Sequence, residues 1–240
     1  MKLDILAFAA HPDDVELAAS GTVLTHLALG KKVGVIDLTR GELGTRGSAE
    51  LRDKEAAKSS EILGLTVREN LGLRDGFFVK DEATLLKVIA VIRKYQPDII
   101  LANSEFDRHI DHGRAAELIH DACFLSGLKK ITTQHNGEEQ LPWRPNAVYH
   151  YIQDYYTEPD IVFDITNFYE QKQQAIQAFS SQFYTPNSTS NEPETPISTP
   201  EFWAFLEARA RQFGRIINVR FGEGFTVKRT IGSNDLTKLL

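Results

Sequence analysis

The chain has 240 residues, of which 42% are hydrophobic and 25% are charged, and its formal net charge is −6 at pH 7. This length and composition are ordinary for one globular domain, so we predict a single domain over residues 1–240. The acidic balance gives no global reason for nucleic-acid or membrane binding, and neither is expected as a partner.

The chain carries no clear targeting or redox signal. Residues 1–8 include an aspartate inside an apolar run, which predicts a strand rather than a signal peptide. No stretch approaches 18 uninterrupted apolar residues, so no transmembrane helix is expected. Cys123 is the single cysteine, and its apolar neighbours indicate a small buried hydrophobe rather than a nucleophile. We therefore expect a cytoplasmic protein.

Short apolar runs alternate with helical patterns through the first half of the chain. Strands are predicted over residues 3–9, 32–38, 66–70 and 98–102, and helices over residues 15–29, 49–63, 85–92 and 113–125. This βαβαβαβα order predicts a mostly parallel sheet with helices on both faces. Because crossovers between parallel strands are right-handed, a Rossmann-like, doubly wound α/β fold follows.

The second half of the chain is less regular. Strands are predicted over residues 147–152 and 161–164, and helices over residues 167–179 and 201–213. Residues 185–200, between these helices, are rich in Ser, Thr, Pro and Asn. Such a composition is typical of a surface loop, and a long loop beside a cleft can serve as a lid.

Two clusters of histidine and aspartate follow strands that this fold brings together. His11-Pro12-Asp13-Asp14 follows the first strand, and His109-Ile110-Asp111-His112 follows the fourth, about a hundred residues later. With a 3-2-1-4 strand order, the binding crevice lies between these two strands, at their carboxyl ends. Both clusters therefore reach one predicted site.

A metal centre is the chemistry that this convergence favours. His11 and Asp14 are three residues apart at a turn entering a helix, and His112 can add a ligand from the facing loop. Two imidazoles and one carboxylate suit Zn²⁺, with Fe²⁺ as the alternative, and three protein ligands leave a position for water. Asp13 is then free to act as a general base beside the metal.

The remaining residues of the second cluster suggest a polarising role. His109 could stabilise a developing oxyanion if it is protonated, and pairing with Asp111 would keep it so. A bland alternative is that Asp13 or Asp14 simply caps the helix, which the presence of two clusters at one crevice weakens. The other histidines are interpreted as structural or surface residues: His26, His120, His135 and His150.

At these residues the sequence resembles the LmbE-like, or PIG-L, family of zinc-dependent N-acetylglucosaminyl deacetylases. The family's hallmark is His-Pro-Asp-Asp after the first strand and His-x-Asp-His about a hundred residues later, and the resemblance continues through residues 39–47, 52–56, 181–183 and 222–225. It implies the same three zinc ligands and the same general base as the residues themselves suggest. It further implies His109 with Asp111 as a polarising pair and Arg52 as a substrate-binding residue.

Residues 39–47 and 181–183 resemble the bacillithiol-biosynthesis branch of the family. That resemblance implies a small-molecule sugar conjugate as substrate, with deacetylation of N-acetylglucosaminyl malate to glucosaminyl malate and acetate. Because malate carries two carboxylates, arginines near strand ends are candidate ligands: Arg40, Arg46, Arg52 and Arg108. For Arg46 and Arg108, an ordinary surface charge is an equally good interpretation. The resemblance also implies a homo-oligomer, either a trimer or a hexamer.

Some members of the family use a tyrosine to polarise the carbonyl group, and Tyr151, Tyr155 and Tyr184 are all candidates here. Three other functions are alternatives. An amidase acting on a different sugar or thiol conjugate would use the same centre. A non-haem iron oxygenase also uses two histidines and a carboxylate, usually as His-x-Asp on a β-barrel. A dinucleotide-binding domain would need Gly-x-Gly-x-x-Gly after the first strand, where this chain has none.

Overall fold

A seven-stranded sheet organises the chain. The structure is a computed structural model that describes residues 1–186, 191–233, 235 and 237. The strands, in chain order, are β1 (Ile5–Ala9), β2 (Val33–Thr39), β3 (Val67–Leu73), β4 (Ile99–Ala102), β5 (Gln134–His135), β6 (Glu138–Glu139), β7 (Ala147–Tyr151), β8 (Ile161–Asp164) and β9 (Gly222–Thr226). Strands β5 and β6 form a separate hairpin.

The order of strands in the sheet is β3-β2-β1-β4-β7-β9-β8. Strand β9 runs antiparallel to both of its neighbours, and the other pairs are parallel. The predicted order of the first four strands is confirmed, and the architecture is the expected Rossmann-like α/β sheet. The order reverses between β1 and β4, which places a binding crevice at their carboxyl ends.

Helices cover both faces of the sheet. In chain order they are α1 (Asp14–Ala18), α2 (Ser20–Ala28), α3 (Ala49–Leu63), α4 (Glu82–Tyr95), α5 (Ile110–Leu125), α6 (Tyr169–Gln177) and α7 (Pro200–Ile216). Helix α3 begins at a cap in which the Ser48 side chain accepts a hydrogen bond from Leu51 N. None of the described helices combines the length and the apolarity that crossing a membrane requires.

Strand β1 shows how the sheet divides the core. Successive residues of a strand point to opposite faces, and every residue of β1 is buried. Leu6 and Phe8 pack into the core cluster that contains residues of α4 and α5. Ile5 and Ala7 pack on the other face, with residues of α1 and α2. A continuous apolar run is therefore what this central strand requires.

The helix predicted over residues 15–29 is two helices in the structure, with a break at Ala19. The carboxylate of Glu223, in β9, accepts hydrogen bonds from Gly21 N at 2.9 Å and Thr22 N at 2.7 Å. These bonds satisfy backbone donors at the start of α2 that a continuous helix would have used internally. The break is thus stabilised by a residue distant in sequence, which local periodicity does not reveal.

Strand β9 was not predicted, and its two glycines weaken the strand signal in this segment. A Cβ atom at Gly224 would lie 2.9 Å from Cε1 of Phe213 in α7. Glycine is needed there because helix α7 packs directly on the strand. This packing brings α7 to the edge of the crevice. Within the predicted loop over residues 185–200, residues 187–190 lie outside the described residues.

Candidate active site

A cavity of about 340 Å³ opens at the carboxyl ends of β1 and β4. It is lined by residues of both predicted clusters: His11, Asp13, Asp14, His109 and His112. Residues of α7 and of the predicted loop, among them Thr195, Pro196 and Ile197, also line it. The predicted convergence of the two clusters is therefore what the fold produces.

Asp13 lies at the turn between β1 and α1 in an unusual backbone conformation. Its φ angle is 118° and its ψ angle is −21°, and its side chain makes no helix-capping hydrogen bond. A positive φ is costly for any residue other than glycine and is found disproportionately at functional sites. The strained turn and the absence of a capping bond indicate that the carboxylate of Asp13 is a functional group rather than a helix cap.

Asp14 is a fully engaged carboxylate at the floor of the cavity. Its Oδ2 accepts hydrogen bonds from His11 N and Asn103 Nδ2, each at 2.9 Å, and its Oδ1 accepts one from Gln153 Nε2 at 2.9 Å. Burial opposes ionisation, but His112 and His11 outweigh it and hold the pKa of Asp14 well below its usual range. Asp14 is therefore a rigidly placed anion.

Each of the two predicted histidine ligands has one ring nitrogen close to a carboxylate oxygen of Asp14. His11 Nδ1 lies 3.8 Å from Asp14 Oδ2, and His112 Nε2 lies 3.2 Å from Asp14 Oδ1. The opposite ring nitrogen of each histidine contacts a further carboxylate: Asp107 Oδ2 lies 2.6 Å from His112 Nδ1, and Asp75 Oδ1 lies 3.1 Å from His11 Nε2. A carboxylate behind each imidazole is the usual support of a metal-binding histidine.

The charges of this cluster also suit a cation. Burial lowers the pKa of His11, but hydrogen bonds to Asp111 and Asp75 outweigh it and raise the value to about 10. For His112, burial is outweighed by Asp14 and Asp107, and the pKa is raised to about 9. Without a metal, protons therefore supply the positive charge that these carboxylates stabilise. A divalent cation bound by His11, Asp14 and His112 would take over that role.

Two groupings of side chains among the described residues have ligand atoms within 4.8 Å of one another, and Asp14 belongs to neither of them. One is His11, His109 and His112, and the other is His11, Asp75 and Asp111. Asp75 was missed by the sequence analysis. Asp75 follows β3, whose carboxyl end lies at the same edge of the sheet as those of β1 and β4. Its position after a parallel strand could have indicated that it belongs to the site.

Asp13 stands beside this centre with a different partner. Its Oδ2 accepts a hydrogen bond from Arg52 Nη2 at 3.1 Å, and the same nitrogen donates to Pro12 O at 2.8 Å. Burial raises the pKa of Asp13 to about 7, against the opposing effect of Arg52. A carboxylate whose pKa lies near neutrality can both accept and return a proton at physiological pH.

The structure differs from the predicted pairing of His109 with Asp111. Asp111 Oδ2 lies 3.3 Å from His11 Nε2 and accepts a hydrogen bond from Gly76 N at 2.8 Å. His109 instead accepts a hydrogen bond at Nδ1 from the backbone N–H of Asp111 at 3.3 Å. Burial, together with His11 and His112, lowers the pKa of His109. Because Nδ1 accepts this bond, the ring N–H of His109 in its neutral form is on Nε2.

The predicted substrate arginines separate into two groups. Arg52 and Arg108 line the cavity. Arg46 does not belong to the lining, because its side chain donates to Ser181 O at 2.8 Å and to Pro193 O at 3.1 Å. It ties the loop after β2 to residues near α6 and α7. Arg40 pairs at the surface with Asp53 at 2.6 Å.

One cavity arginine, Arg209 in α7, was missed because it sits in the middle of an amphipathic helix with no motif around it. None of the three candidate tyrosines lines the cavity. Tyr151 is fully buried, and its hydroxyl donates to Phe8 O at 2.8 Å.

Residues 6–123 match the family model described as PIG-L: GlcNAc-PI de-N-acetylase. Among curated proteins, the chain is 28% identical over 192 residues to 4-oxalmesaconate hydratase of Pseudomonas putida, covering 74% of this chain and 73% of that protein. It is 25% identical over 202 residues to the probable N-acetyl-alpha-D-glucosaminyl L-malate deacetylase 2 of Bacillus anthracis, covering 75% of this chain and 82% of that protein.

Two solved structures share the fold over most of the chain. The conserved protein TT1542 of Thermus thermophilus superposes with a TM-score of 0.84 at 33% identity, over 96% of this chain and 97% of that one. The N,N'-diacetylchitobiose deacetylase of Pyrococcus horikoshii superposes with a TM-score of 0.77 at 26% identity, over 93% of this chain and 82% of that one.

Proposed function

The chain belongs to the PIG-L family, and from this premise we propose that it hydrolyses the acetamide of an N-acetylglucosaminyl conjugate. Deacetylation of an N-acetylated sugar is supported by the family match and by the similarity to the chitobiose deacetylase. As the conjugate we propose N-acetylglucosaminyl malate, which is supported by the similarity to the malate deacetylase and by the arginines in the cavity.

One observation carries the proposal. The buried carboxylate of Asp13, held by Arg52, stands next to a cluster of imidazoles and a carboxylate suited to a metal. Hydrolysis of an amide needs both parts, because water must lose a proton and the carbonyl oxygen must be stabilised as negative charge develops.

His11, Asp14 and His112 are the residues proposed to hold the metal, which is Zn²⁺ by the chemistry of the donors. A zinc ion bound there would supply a Lewis acid for the carbonyl oxygen and for water. The carboxylates behind the histidines keep their rings oriented and their metal-facing nitrogens basic.

Asp13 is proposed to move the proton. It takes a proton from the attacking water as the oxygen–carbon bond forms, and it returns this proton to the sugar nitrogen as the carbon–nitrogen bond breaks. The products are acetic acid and the sugar amine, which at neutral pH are present as acetate and the ammonium form. Arg52 holds Asp13 Oδ2 in place through its hydrogen bond, which keeps the carboxylate oriented during both transfers.

His109 is proposed to stabilise the oxyanion as a neutral donor rather than as an imidazolium. Since its Nδ1 accepts the backbone N–H of Asp111, the Nε2–H remains free to donate to the substrate oxygen. Asp111 acts on the metal ligand His11, which it contacts, and not through a pair with His109.

A second candidate function is the addition of water to 4-oxalmesaconate, which the 28% identity to the hydratase favours. Hydration would also use a carboxylate that moves a proton beside a bound cation, so the centre by itself fits both reactions. An oxygenase is not favoured, because the sheet is open and mostly parallel rather than a barrel.

A substrate panel tests the proposal. Zinc-loaded protein is incubated with N-acetylglucosaminyl malate, N,N'-diacetylchitobiose, an N-acetylglucosaminyl thiol conjugate and 4-oxalmesaconate, and acetate release and hydration are followed in parallel. We expect acetate from the malate conjugate at the highest kcat/KM. Hydration of 4-oxalmesaconate with no acetate from any conjugate would replace the proposed function by the second candidate.

A further inference from the structure

Three arginines line the cavity, and they differ in how their charges are balanced. Arg52 pairs with Asp13 at 3.1 Å, and Arg108 pairs with Asp154 at 3.0 Å. Within the described part of the chain, Arg209 forms no ion pair, and its Nη2 donates to the backbone oxygen of Leu17 at 2.8 Å. Arg209 is thus the one cavity arginine in the described residues without a carboxylate partner, and its guanidinium lies over the ring of Phe205 at 5.4 Å.

The carboxylates that act on Arg209 from a distance are already engaged with other cations. Asp154 pairs with Arg108 at 3.0 Å, Glu223 pairs with Lys172 at 2.5 Å, and Asp107 pairs with His112 at 2.6 Å. Arg209 is half-buried, and burial lowers the pKa of its guanidinium. Removing a cation from water without a partner costs free energy, which an anion bound in the cavity would offset.

Arg209 is also anchored to the helix that follows Asp13. The oxygen to which it donates belongs to Leu17, and Leu17 N donates to Asp13 O at 2.9 Å, one helical turn earlier. One turn of helix is about 5.4 Å. In an N-acetylglucosaminyl conjugate, the acetamide and the conjugated group are carried by adjacent ring carbons. With the acetamide at Asp13, an acidic conjugated group therefore lies within reach of Arg209.

We propose that Arg209 binds a carboxylate of the substrate's conjugated group and thereby selects anionic conjugates over neutral ones. This inference rests on the proposed function and deepens it. The nearby wall of Ile197, Phe202 and Leu206 is apolar, so it excludes water and strengthens an ion pair with the guanidinium. Malate and oxalmesaconate both carry carboxylates, so both candidate substrates suit an unpaired arginine.

The test compares Arg209→Met, Arg209→Lys and a matched control, Arg211→Met. Arg211 lies on the same helix, is not part of the cavity lining and pairs at the surface with Glu207 at 2.7 Å. The constants kcat and KM are measured for N-acetylglucosaminyl malate and for uncharged methyl N-acetylglucosaminide. Thermal unfolding of each variant is recorded alongside.

For Arg209→Met we expect KM for the malate conjugate to rise about 10- to 100-fold, as for the loss of a hydrogen bond to a charged group. We expect kcat to stay within about threefold, and the neutral substrate to be unaffected. For Arg209→Lys we expect an intermediate KM for the malate conjugate, because an ammonium group keeps the charge but not the planar fork of the guanidinium. This variant also provides the comparison if Arg209→Met does not fold. The control should behave as the unmodified protein.

Equal losses on both substrates, or no loss on either, would overturn the inference. A second arm separates it from the proposed function: calorimetric binding of glucosaminyl malate and of glucosamine to the unmodified protein and to both Arg209 variants. If the unmodified protein releases no acetate, the proposed function fails. Arg209 is then still supported if its variants weaken binding of glucosaminyl malate alone. The inference about Arg209 is overturned if both variants bind glucosaminyl malate as tightly as the unmodified protein does. It is also overturned if the unmodified protein does not bind glucosaminyl malate.

Discussion

Replacing Asp13 by asparagine tests the role of the general base directly. The substitution keeps the shape of the side chain but removes its ability to take a proton. Asp13 is buried, and its Oδ2 contacts Arg52 at 3.1 Å. Among the described residues, none of the hydrogen bonds or ion pairs of the proposed metal ligands is made with the Asp13 carboxylate, so the substitution alters only the proton-transfer group.

The expected magnitude follows from what such a group contributes. A positioned general acid or base supplies about 10²- to 10⁴-fold in rate, so kcat should fall by that factor while KM changes little. The stability effect should be small. The amide oxygen of asparagine still accepts from Arg52, so the bond weakens from about 1.5–3 to about 0.5–1.5 kcal/mol, and the variant also loses the repulsion between Asp13 and Asp14. Asparagine tolerates a positive φ as well as aspartate does, so the strained turn remains.

The assay measures acetate release per mole of bound zinc, with thermal unfolding recorded for the same samples. Asp53→Asn is the matched control, because Asp53 also pairs with an arginine, Arg40 at 2.6 Å, but at the surface. We expect it to retain full activity. The role of Asp13 as the general base is refuted if Asp13→Asn keeps more than about a tenth of the original kcat, because so small a loss lies below the range that a general base contributes. Loss of zinc in proportion to activity would instead make Asp13 a ligand.

Three further predictions concern the centre and the single cysteine. Asp75→Asn should weaken zinc binding by about 10- to 100-fold, because it disturbs the support behind His11; an unchanged affinity in a competitive zinc titration would contradict this role. The pKa values of His11 and His112, raised to about 10 and about 9, mean that both are protonated at pH 7 without metal. Zinc binding should therefore release about two protons, and the zinc affinity should increase as pH rises. Calorimetry in buffers of different ionisation enthalpy measures the number of protons released, and release of no protons would refute this prediction. Burial raises the pKa of Cys123 to about 12, so the thiol should react with a disulfide reagent at pH 8 only after unfolding; rapid reaction of the folded protein would contradict this.

Much of the first half of the fold could be predicted, because its signals are local. Apolar runs followed by amphipathic helices define a parallel sheet, and the handedness of the crossovers limits the order of its strands. The convergence of His11, Asp14 and His112 follows from that order, since both clusters come directly after neighbouring strands. The site was therefore accessible from chain order and side-chain chemistry alone.

The features that could not be predicted depend on contacts between distant parts of the chain. The break at Ala19 depends on Glu223, and β9 depends on the close packing of Phe213 against Gly224. Neither leaves a periodic signal. Arg209 has the same character, because its exposure to the cavity is decided by how α7 packs on the sheet.

The contact partner of Asp111 could not be predicted from the sequence, although its motif was placed correctly at the site. Spacing alone favoured a pair with His109, two residues away, because the two residue types fit. In the structure Asp111 lies in the first turn of α5, and its carboxylate points to His11 from the other cluster. Spacing along a helix start does not determine which neighbour a side chain meets across a cavity.

The most direct test of zinc-dependent deacetylation is acetate release from N-acetylglucosaminyl malate, measured before and after chelation and again after zinc is restored. Free N-acetylglucosamine is assayed beside it. We expect strong release from the malate conjugate that is lost with the metal and returns with zinc. Undiminished release from the chelated protein, or no release from either sugar by protein loaded with zinc, would contradict it.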